Sequence, residues 1–353
     1  MTIIQTANEL QPSGRKICLA IGFFDGVHLG HQQIIRQTVT DARRHEAVAL
    51  VITFDRHPNT AVAPHRVPPL IYSLPQKLRT IESLGVDSLL LIHFDKAFSE
   101  QSGEAFIRGL ARDLASSNPN SLRPVGPVGR VGLLAPDSEL STANSSSGAI
   151  QSLCVGANFV FGHKRGGNVE LLKKLGAELK FVVHGLAAVS LDGRAVSSTR
   201  IREAIARGDL DAVSQMLGRA YSLAGTVVRG DGVGRQLGFP TANLDVTGLA
   251  LPPHGVYAVH AEIILTHGAG REAQGAKGSP SRAVLNIGVR PTLQNPAPQL
   301  RVEAHLLDFE GDLYGQELEV SFGEKLREER KFGSLAELRE QIARDVQDAR
   351  RRF

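Results

Sequence analysis

Apolar and polar positions in the first part of the chain follow two alternating periods. Residues 15–22 (RKICLAIG) form a short, nearly continuous apolar run, and 29–45 follow with apolar positions at helical spacing. Residues 47–54 (AVALVITF) are again a continuous, β-branched run. Residues 74–84 read as a helix, 87–94 (DSLLLIHF) as a third strand and 102–114 as a further helix. Strands that are apolar throughout and alternate with helices predict a parallel sheet covered on both faces. The pattern breaks over 115–151, where Ser, Pro, Gly and Asn crowd out any apolar period, and a mobile surface insertion is expected there. It resumes at Leu153, with a strand near 179–183 and helices near 199–206 and 210–217.

After Met216 the texture changes. Short apolar runs at 221–228, 256–265, 282–287, 300–307 and 318–322 are separated by Gly/Pro turns, which predicts a small antiparallel barrel. A second low-complexity loop, 266–281, interrupts it. The chain closes on an amphipathic helix, with Ser334 and Glu337 as a capping box and Leu335, Leu338, Ile342 and Val346 on one face. The expected organisation is therefore an α/β domain over 1–218 and an all-β domain over 219–353, matching the two domains that 353 residues suggest.

Composition narrows the classes of function. With 42% hydrophobic and 22% charged residues the chain is neither disordered nor fibrous. It contains no apolar run of the ~18–20 residues a membrane span needs, and its first ten residues lack the charged and apolar regions of a signal peptide. Cys18 and Cys154, the two cysteines, sit in strand-like runs, which fits reduced core thiols and a cytoplasmic protein rather than a disulfide framework. The net charge is only +4, and Arg350, Arg351 and Arg352 cluster at the terminus. With no Trp and four Tyr, that argues against a nucleic-acid partner and for small anionic ligands. At most weak self-association is expected.

Two stretches carry candidate phosphate chemistry. In IGFFDGVHLGH (21–31) a strand turns through Gly22 and Gly26 and opens a helix after His28. Helix N-termini present unpaired N–H groups and a positive dipole end. Gly30 lets a phosphate approach the backbone, and His28 and His31, three apart, reach over the same turn. A helix cap and a solvated imidazole remain the alternative for either histidine, and no third ligand stands at zinc spacing. TFDRHP (53–58), VGANFVFGHKRGG (155–167) and VSSTRIR (196–202) bring His57, Asn158, Lys164, Arg165, Ser198, Thr199 and Arg202 to strand ends or a helix start, with a plain strand end, a solvated loop and simple helix caps open as their other readings. In the second half, GTVVRGDGVGRQLGFPTANL (225–244) supplies Gly230, Gly234 and Gly238, followed by Pro240 and the neutral oxygens of Thr241 and Asn243, suited to Mg²⁺ with phosphate. Lacking G-K-[ST], it is not a Walker loop, and a plain glycine-rich hairpin stays open as its reading. Glu303 lies on an apolar strand (RVEAHLLDFEGDLYG), where a carboxylate can take a proton from an attacking hydroxyl, although a solvent-facing strand glutamate is the commoner case.

Taken in order, GxFDGVHLGH, TFxxHP, VGxNFxFG and SSTxxR, then GRxLGFPTAN, PHGVYAV, NIGxRPT, VExHLLDFxGDLYG and LRxExxF, resemble the bacterial bifunctional riboflavin kinase/FAD synthetase family. The resemblance implies a Rossmann-like nucleotidylyltransferase domain followed by a six-stranded antiparallel β-barrel riboflavin kinase domain with a C-terminal helix. It implies ATP-dependent phosphorylation of riboflavin to FMN, then transfer of AMP from ATP to FMN, giving FAD and pyrophosphate. By it, His28 and His31 would steady the ATP α-phosphate, with Gly22, Phe24, Asp25, Gly30, Asn158, Ser198, Thr199 and Arg202 around the nucleotide. Gly230, Gly234, Gly238, Pro240, Thr241, Asn243, Arg290 and Phe332 would serve ATP and flavin in the kinase, Thr241 and Asn243 holding Mg²⁺ and Glu303 acting as base. The family does not account for 115–151 or 266–281, and Arg56 and Leu293 depart from its usual pattern. A flavin-binding module without turnover, or a kinase with an idle N-terminal half, is disfavoured because both residue sets are intact.

Overall fold

The structure, a computed structural model, describes residues 1–12, 14–116, 149–264, 280–292 and 295–353; for 290–292 and 295–299 it describes the backbone alone. Most of both expected insertions, and Leu293, therefore lies outside the described residues. Contacts divide the chain into two units. One comprises Met1–Phe24, Gly30–Val67 and Thr80–Val189, the other Asp25–Leu29, Pro68–Arg79 and Ser190–Phe353.

The first unit is built on six parallel strands: β1 (Thr2–Ile4), β2 (Ile17–Ile21), β3 (Val48–Phe54), β4 (Ser88–Ile92), β5 (Ile150–Gly156) and β6 (Val182–Leu186). They lie in the order β1-β4-β3-β2-β5-β6. The chain runs outward from β2 on one side and returns to β5 on the other, so the topological switch falls between β2 and β5, where such sheets bind ligands at their carboxyl ends. The apolar runs read as strands because both faces are covered. Leu19, Ile21, Leu50, Ile52 and Leu153 pack with Ile107 and Leu110 of α3 (Gly103–Ser116) and Leu172 and Leu175 of α4 (Val169–Leu179). Each such fully buried side chain contributes roughly 1.5–3 kcal/mol. On the other face, α1 (Leu29–Arg44) sets Asp41 against Ser152 Oγ at 3.3 Å and Cys154 Sγ at 3.8 Å. Both cysteines are buried and unbridged; burial pushes the Cys154 thiol up to about 12 and raises that of Cys18. They are core residues rather than nucleophiles.

The strand expected near 179–183 is displaced. Leu179 is the last residue of α4, Lys180 caps it in the left-handed region (φ 65°), and β6 begins at Val182. Val169, Leu172, Leu175 and Leu179 have helical spacing, and the consecutive aromatic and β-branched run Phe181-Val182-Val183 comes only beyond the cap. Strand β1, which pairs with β4, was not foreseen: three residues are too few to show a period.

The second unit holds α5 (Ser198–Arg207), α6 (Leu210–Leu217) and a closed antiparallel barrel. Its strands are β7 (Ser222–Val228), β8 (Ala242–Asp245), β9 (Gly255–Ile264), β10 (Ser281–Thr292), β11 (Asn295–Leu306) and β12 (Glu317–Arg327), in the order β7-β8-β11-β10-β9-β12. Five of the six coincide with apolar runs; β8 (ANLD) is short and polar enough to escape them. The first half of α2 (Leu74–Glu82) belongs to this unit. Arg79 pairs with Glu317 at 2.7 Å and Glu319 at 2.9 Å, and Gln76 donates to Ser222 Oγ at 2.8 Å. Helix α7 (Leu335–Arg352) packs Ala349 and Val346 against Val256, Ala258 and Val284 on the barrel wall.

The expected apolar face of α7 is only partly used, since Leu335 is exposed while Asp345 is buried. Asp345 tolerates burial because Arg327 forks onto it at 2.8–3.0 Å. The cap differs in detail as well. Ser334 accepts from the Glu337 N–H, but the Glu337 carboxylate takes the Gly333 N–H. Among the described residues no helix is long and apolar enough to cross a membrane.

Candidate functional site

The barrel constellation follows from strand register. Asn243 on β8 stands directly opposite Glu303 on β11, Glu303 opposite Asn286 on β10, and Asn286 opposite Val256 on β9. Directly paired residues point to the same side of a sheet. Because Val256 packs under α7, the whole row, Asn243, Glu303 and Asn286, lies on the outer wall. Thr241, two residues before Asn243, shares its parity.

The glycine loop 229–239 is laid onto this wall. A Cβ on Gly230 would sit 2.3 Å from Asn243 Nδ2, and one on Gly234 would sit 2.5 Å from the Phe239 carbonyl and 3.0 Å from Thr241 Oγ1. Gly238 has φ +90°, a left-handed conformation that glycine adopts without strain. Asp231 in the loop pairs with Arg301 at 3.0 Å, and the same guanidinium reaches to 3.9 Å from Glu303 Oε1. The His305 ring donates from Nδ1 to the Pro240 carbonyl at 2.8 Å, fixing the start of β8. Beside Thr241 a cavity of about 180 Å³ is lined by Pro240, Leu306, Phe309 and Tyr314, with the Arg229 guanidinium 5.4 Å over the Tyr314 ring. The guanidinium groups of Arg330 and Arg327 stand 4.9 Å and 5.7 Å from the centre of the Phe332 ring. Arg290 is on β10, but its side chain lies outside the described residues. On the kinase activity that the resemblance implies for this barrel, Gly230→Ala should displace Asn243 and lower riboflavin phosphorylation by roughly 10²-fold, the cost of an ångström-scale misplacement. FMN adenylylation by the same variant should be unchanged; equal rates for both reactions in variant and wild type would contradict the close packing.

In the second unit the turn that bears His28 is tied to α5. Asp25, 3% exposed, accepts from the Ile71 N–H at 3.0 Å and pairs with Arg202 Nη2 at 2.6 Å. Burial raises its carboxyl, while Arg202 acts to lower it. Arg202 also donates from Nε to the Pro69 carbonyl at 2.6 Å. Ser198 Oγ donates to the Asp25 carbonyl at 3.3 Å, and capping of α5 falls to Ser197, which accepts from the Arg200 N–H. Thr199 lies in the first turn of α5. His28 is 6% exposed. Burial, then the positive charge of Arg219, lower its pKa from 6.5 to about 4, so the imidazole is neutral at pH 7.

In the first unit Gly22 follows β2, and its missing side chain is required: a Cβ would lie 2.7 Å from the Phe24 ring. Phe24, at φ 54°, presents that ring edge-on to His31 with centroids 5.2 Å apart. Gly30 and His31 fall in the first turn of α1. Thr53 Oγ donates to the Phe23 carbonyl at 3.0 Å, and His57 stacks edge-on against Phe23 at 5.0 Å. Asn158 is exposed in the turn that follows β5, one of the two strands flanking the switch point. Lys164 and Arg165 are exposed, both with positive φ.

Four participants were not singled out as site residues by the sequence, although Asn286 opens the NIGxRPT run. The place of Asn286 in the site is visible only through register, Asp231 and Arg301 only as a pair spanning 70 positions, and Arg219 only through its acceptors across the fold. Among the described residues no group of three or more His, Cys, Asp or Glu could hold a metal without further ligands.

Comparisons with known proteins cover both halves of the chain. Residues 217–353 match the riboflavin kinase family model, and residues 10–117 and 145–200 match the FAD synthetase model, which skips the centre of the first low-complexity stretch. The chain is 33% identical over 354 residues to the bifunctional riboflavin kinase/FMN adenylyltransferase of Escherichia coli K12, covering 100% of this chain and 98% of that one. The proteins of the same description from Haemophilus influenzae (33%, 95% and 94% covered) and Pseudomonas fluorescens (33%, 99% and 97%) are similarly related. A crystal structure described as a macrolide-efflux protein from Streptococcus pneumoniae superposes with a TM-score of 0.72 at 24% identity over 99% of both chains, which speaks to the fold alone.

Proposed function

The chain belongs to the bifunctional riboflavin kinase/FMN adenylyltransferase family, and on that premise we propose which residues perform each of its two reactions. It is an enzyme that phosphorylates riboflavin with ATP and transfers AMP from ATP to FMN. We assign the kinase to 219–353 and the adenylyltransferase to 1–218, divisions that the two family matches support.

In the kinase, Glu303 accepts the proton of the riboflavin 5′-hydroxyl as it attacks the ATP γ-phosphorus. The observation that carries this assignment is the register that sets Glu303 directly opposite Asn243, with Gly230 flush against the Asn243 carboxamide. The neutral oxygens of Thr241 and Asn243 fit a hard cation such as Mg²⁺, which takes the rest of its shell from phosphate oxygens and water. When bound, Mg²⁺ neutralises charge on the transferred phosphoryl group. Gly230, Gly234 and Gly238 bring backbone N–H groups to the phosphates, Pro240 lines the cavity beside Thr241, and Arg290 and Phe332 serve the flavin side.

In adenylyl transfer the FMN phosphate attacks the ATP α-phosphorus. A phosphate nucleophile is already ionised at neutral pH, so positioning and charge stabilisation supply the rate. His28 and His31 donate hydrogen bonds to charge developing on the α-phosphate. Gly30 leaves the helix N-terminus open to it, and Gly22, Phe24 and Asp25 hold the turn. Asn158, Ser198, Thr199 and Arg202 serve the nucleotide, Arg202 after exchanging part of its pairing with Asp25. The expected setting is the cytoplasm, with riboflavin, FMN and ATP as the small-molecule partners. Incubating the protein with riboflavin, ATP and Mg²⁺ and separating the flavins tests the whole assignment. FMN and FAD are both expected; FMN alone would remove the adenylyltransferase half, and neither product would remove both.

A further inference from the structure

We propose that Arg219 is a positioning residue for adenylyl transfer, clamping the two peptide groups that lead into His28. The proposal rests on the role given to His28 above. The turn before His28 is strained at Val27, whose φ is +40°, beside Gly26, which takes φ +70° without cost. A β-branched residue in that region costs on the order of 1–3 kcal/mol and persists only where its surroundings hold it. Arg219 supplies the hold. Its Nη2 donates to the Gly26 carbonyl at 2.7 Å and its Nη1 to the Val27 carbonyl at 3.1 Å. These carbonyls belong to the 26–27 and 27–28 peptides, so one planar fork fixes both planes ahead of the imidazole.

The guanidinium is itself anchored. Nη1 also donates to the Leu217 carbonyl at 2.9 Å, at the end of α6, and Nε donates to Tyr72 Oη at 3.1 Å, with the group 5.0 Å above the Tyr72 ring. Two residues on, the fully buried Tyr221 donates to the Ala250 carbonyl at 2.9 Å, fixing the chain that bears Arg219. All four acceptors of Arg219 are protein groups, and none belongs to the kinase constellation. Yet Arg219 falls inside the stretch that matches riboflavin kinase, 217–353. A residue at the start of the kinase sequence thus builds the turn of an adenylyltransferase histidine. Its charge, with that of Arg202, also opposes protonation of His28, while the nearby Asp25 carboxylate is taken up by Arg202 and the Ile71 and Tyr72 N–H groups.

The test uses the full chain carrying Arg219→Gln, Arg219→Lys or Tyr72→Phe, with FMN adenylylation, riboflavin phosphorylation and Tm measured for each. Arg219→Gln should lower kcat for FAD formation roughly 10- to 100-fold while KM for FMN and ATP changes less than about threefold and riboflavin phosphorylation stays within about twofold. Arg219→Lys keeps the charge but loses the fork, so it should recover only part of kcat. Loss of the charge in Arg219→Gln should move the acid limb of the FAD-formation profile to higher pH, whereas Lys should leave it in place. Should the Gln variant fail to fold, the Lys variant and Tyr72→Phe, which removes a single acceptor, carry the measurement. Both activities falling together with Tm would reduce Arg219 to a structural link, and a folded Lys or Gln variant with wild-type kcat for FAD formation would overturn the proposal. Failure of the underlying reading is separately visible, as full FAD formation by His28→Ala.

Discussion

Glu303→Gln is expected to lower riboflavin phosphorylation on the order of 10³-fold, within the range that positioned general bases supply. Adenylylation of added FMN should continue at the wild-type rate. The substitution keeps the size and hydrogen-bonding capacity of the side chain, so its register opposite Asn243 and Asn286 should persist. What it removes is the ability to take a proton. It also removes the negative charge 3.9 Å from Arg301, whose tighter partner is Asp231 at 3.0 Å, so the loop clamp should survive. The effect should therefore fall on kcat rather than on KM for ATP. Steady-state kinetics with riboflavin as varied substrate, followed by an FMN-to-FAD assay on the same preparation, separates the outcomes. A Gln variant that phosphorylates riboflavin within tenfold of wild type would show that another group takes the proton. A variant that loses both reactions would point to the fold instead.

How far the sequence foretold this arrangement depends on the kind of signal each element carries. Strands β2 and β3 were legible because both faces are buried, leaving runs such as VALVITF with no polar interruption. The barrel strands showed through Gly/Pro punctuation, except β8. Its four residues carry Asn243, and a strand whose outer face is chemical rather than apolar has no hydrophobic run to detect. Motif residues such as His28, Thr241 and Glu303 could be nominated from local spacing, because a glycine turn, a helix start and a carboxylate in an apolar strand each leave a local trace. Their supports could not. Asn286 meets Glu303 only through register, and Arg219 meets Gly26 across 193 positions. Arg202 shows the same limit, since its pairing with a buried Asp25 was invisible in the SSTRIR run that nominated it for phosphate.

His28→Ala should reduce FAD formation by up to about 10³-fold, the cost of removing one donor aimed at transition-state charge, and leave riboflavin phosphorylation unaltered. Burial and the neighbouring guanidinium groups hold its pKa near 4, so the working form is the neutral imidazole, a hydrogen-bond donor rather than a cation. That state has a consequence for stability with a definite sign. The unfolded chain binds a proton near pH 6.5 that the folded chain refuses until about pH 4. Stability attached to His28 is therefore complete above pH 6.5 and is lost as pH falls toward 4, by on the order of 3 kcal/mol for a shift of this size. Denaturant unfolding of wild type and His28→Ala at pH 7.5, 6, 5 and 4 should give curves of stability that converge on acidification, because only the wild type suffers this loss. Curves that stay parallel would mean that the imidazole is not held neutral in the folded protein. A folded variant with full FAD formation would remove His28 from the transfer itself. The two measurements are independent, so the chemistry assigned to the histidine and the electrostatics that Arg202 and Arg219 impose on it stand or fall separately.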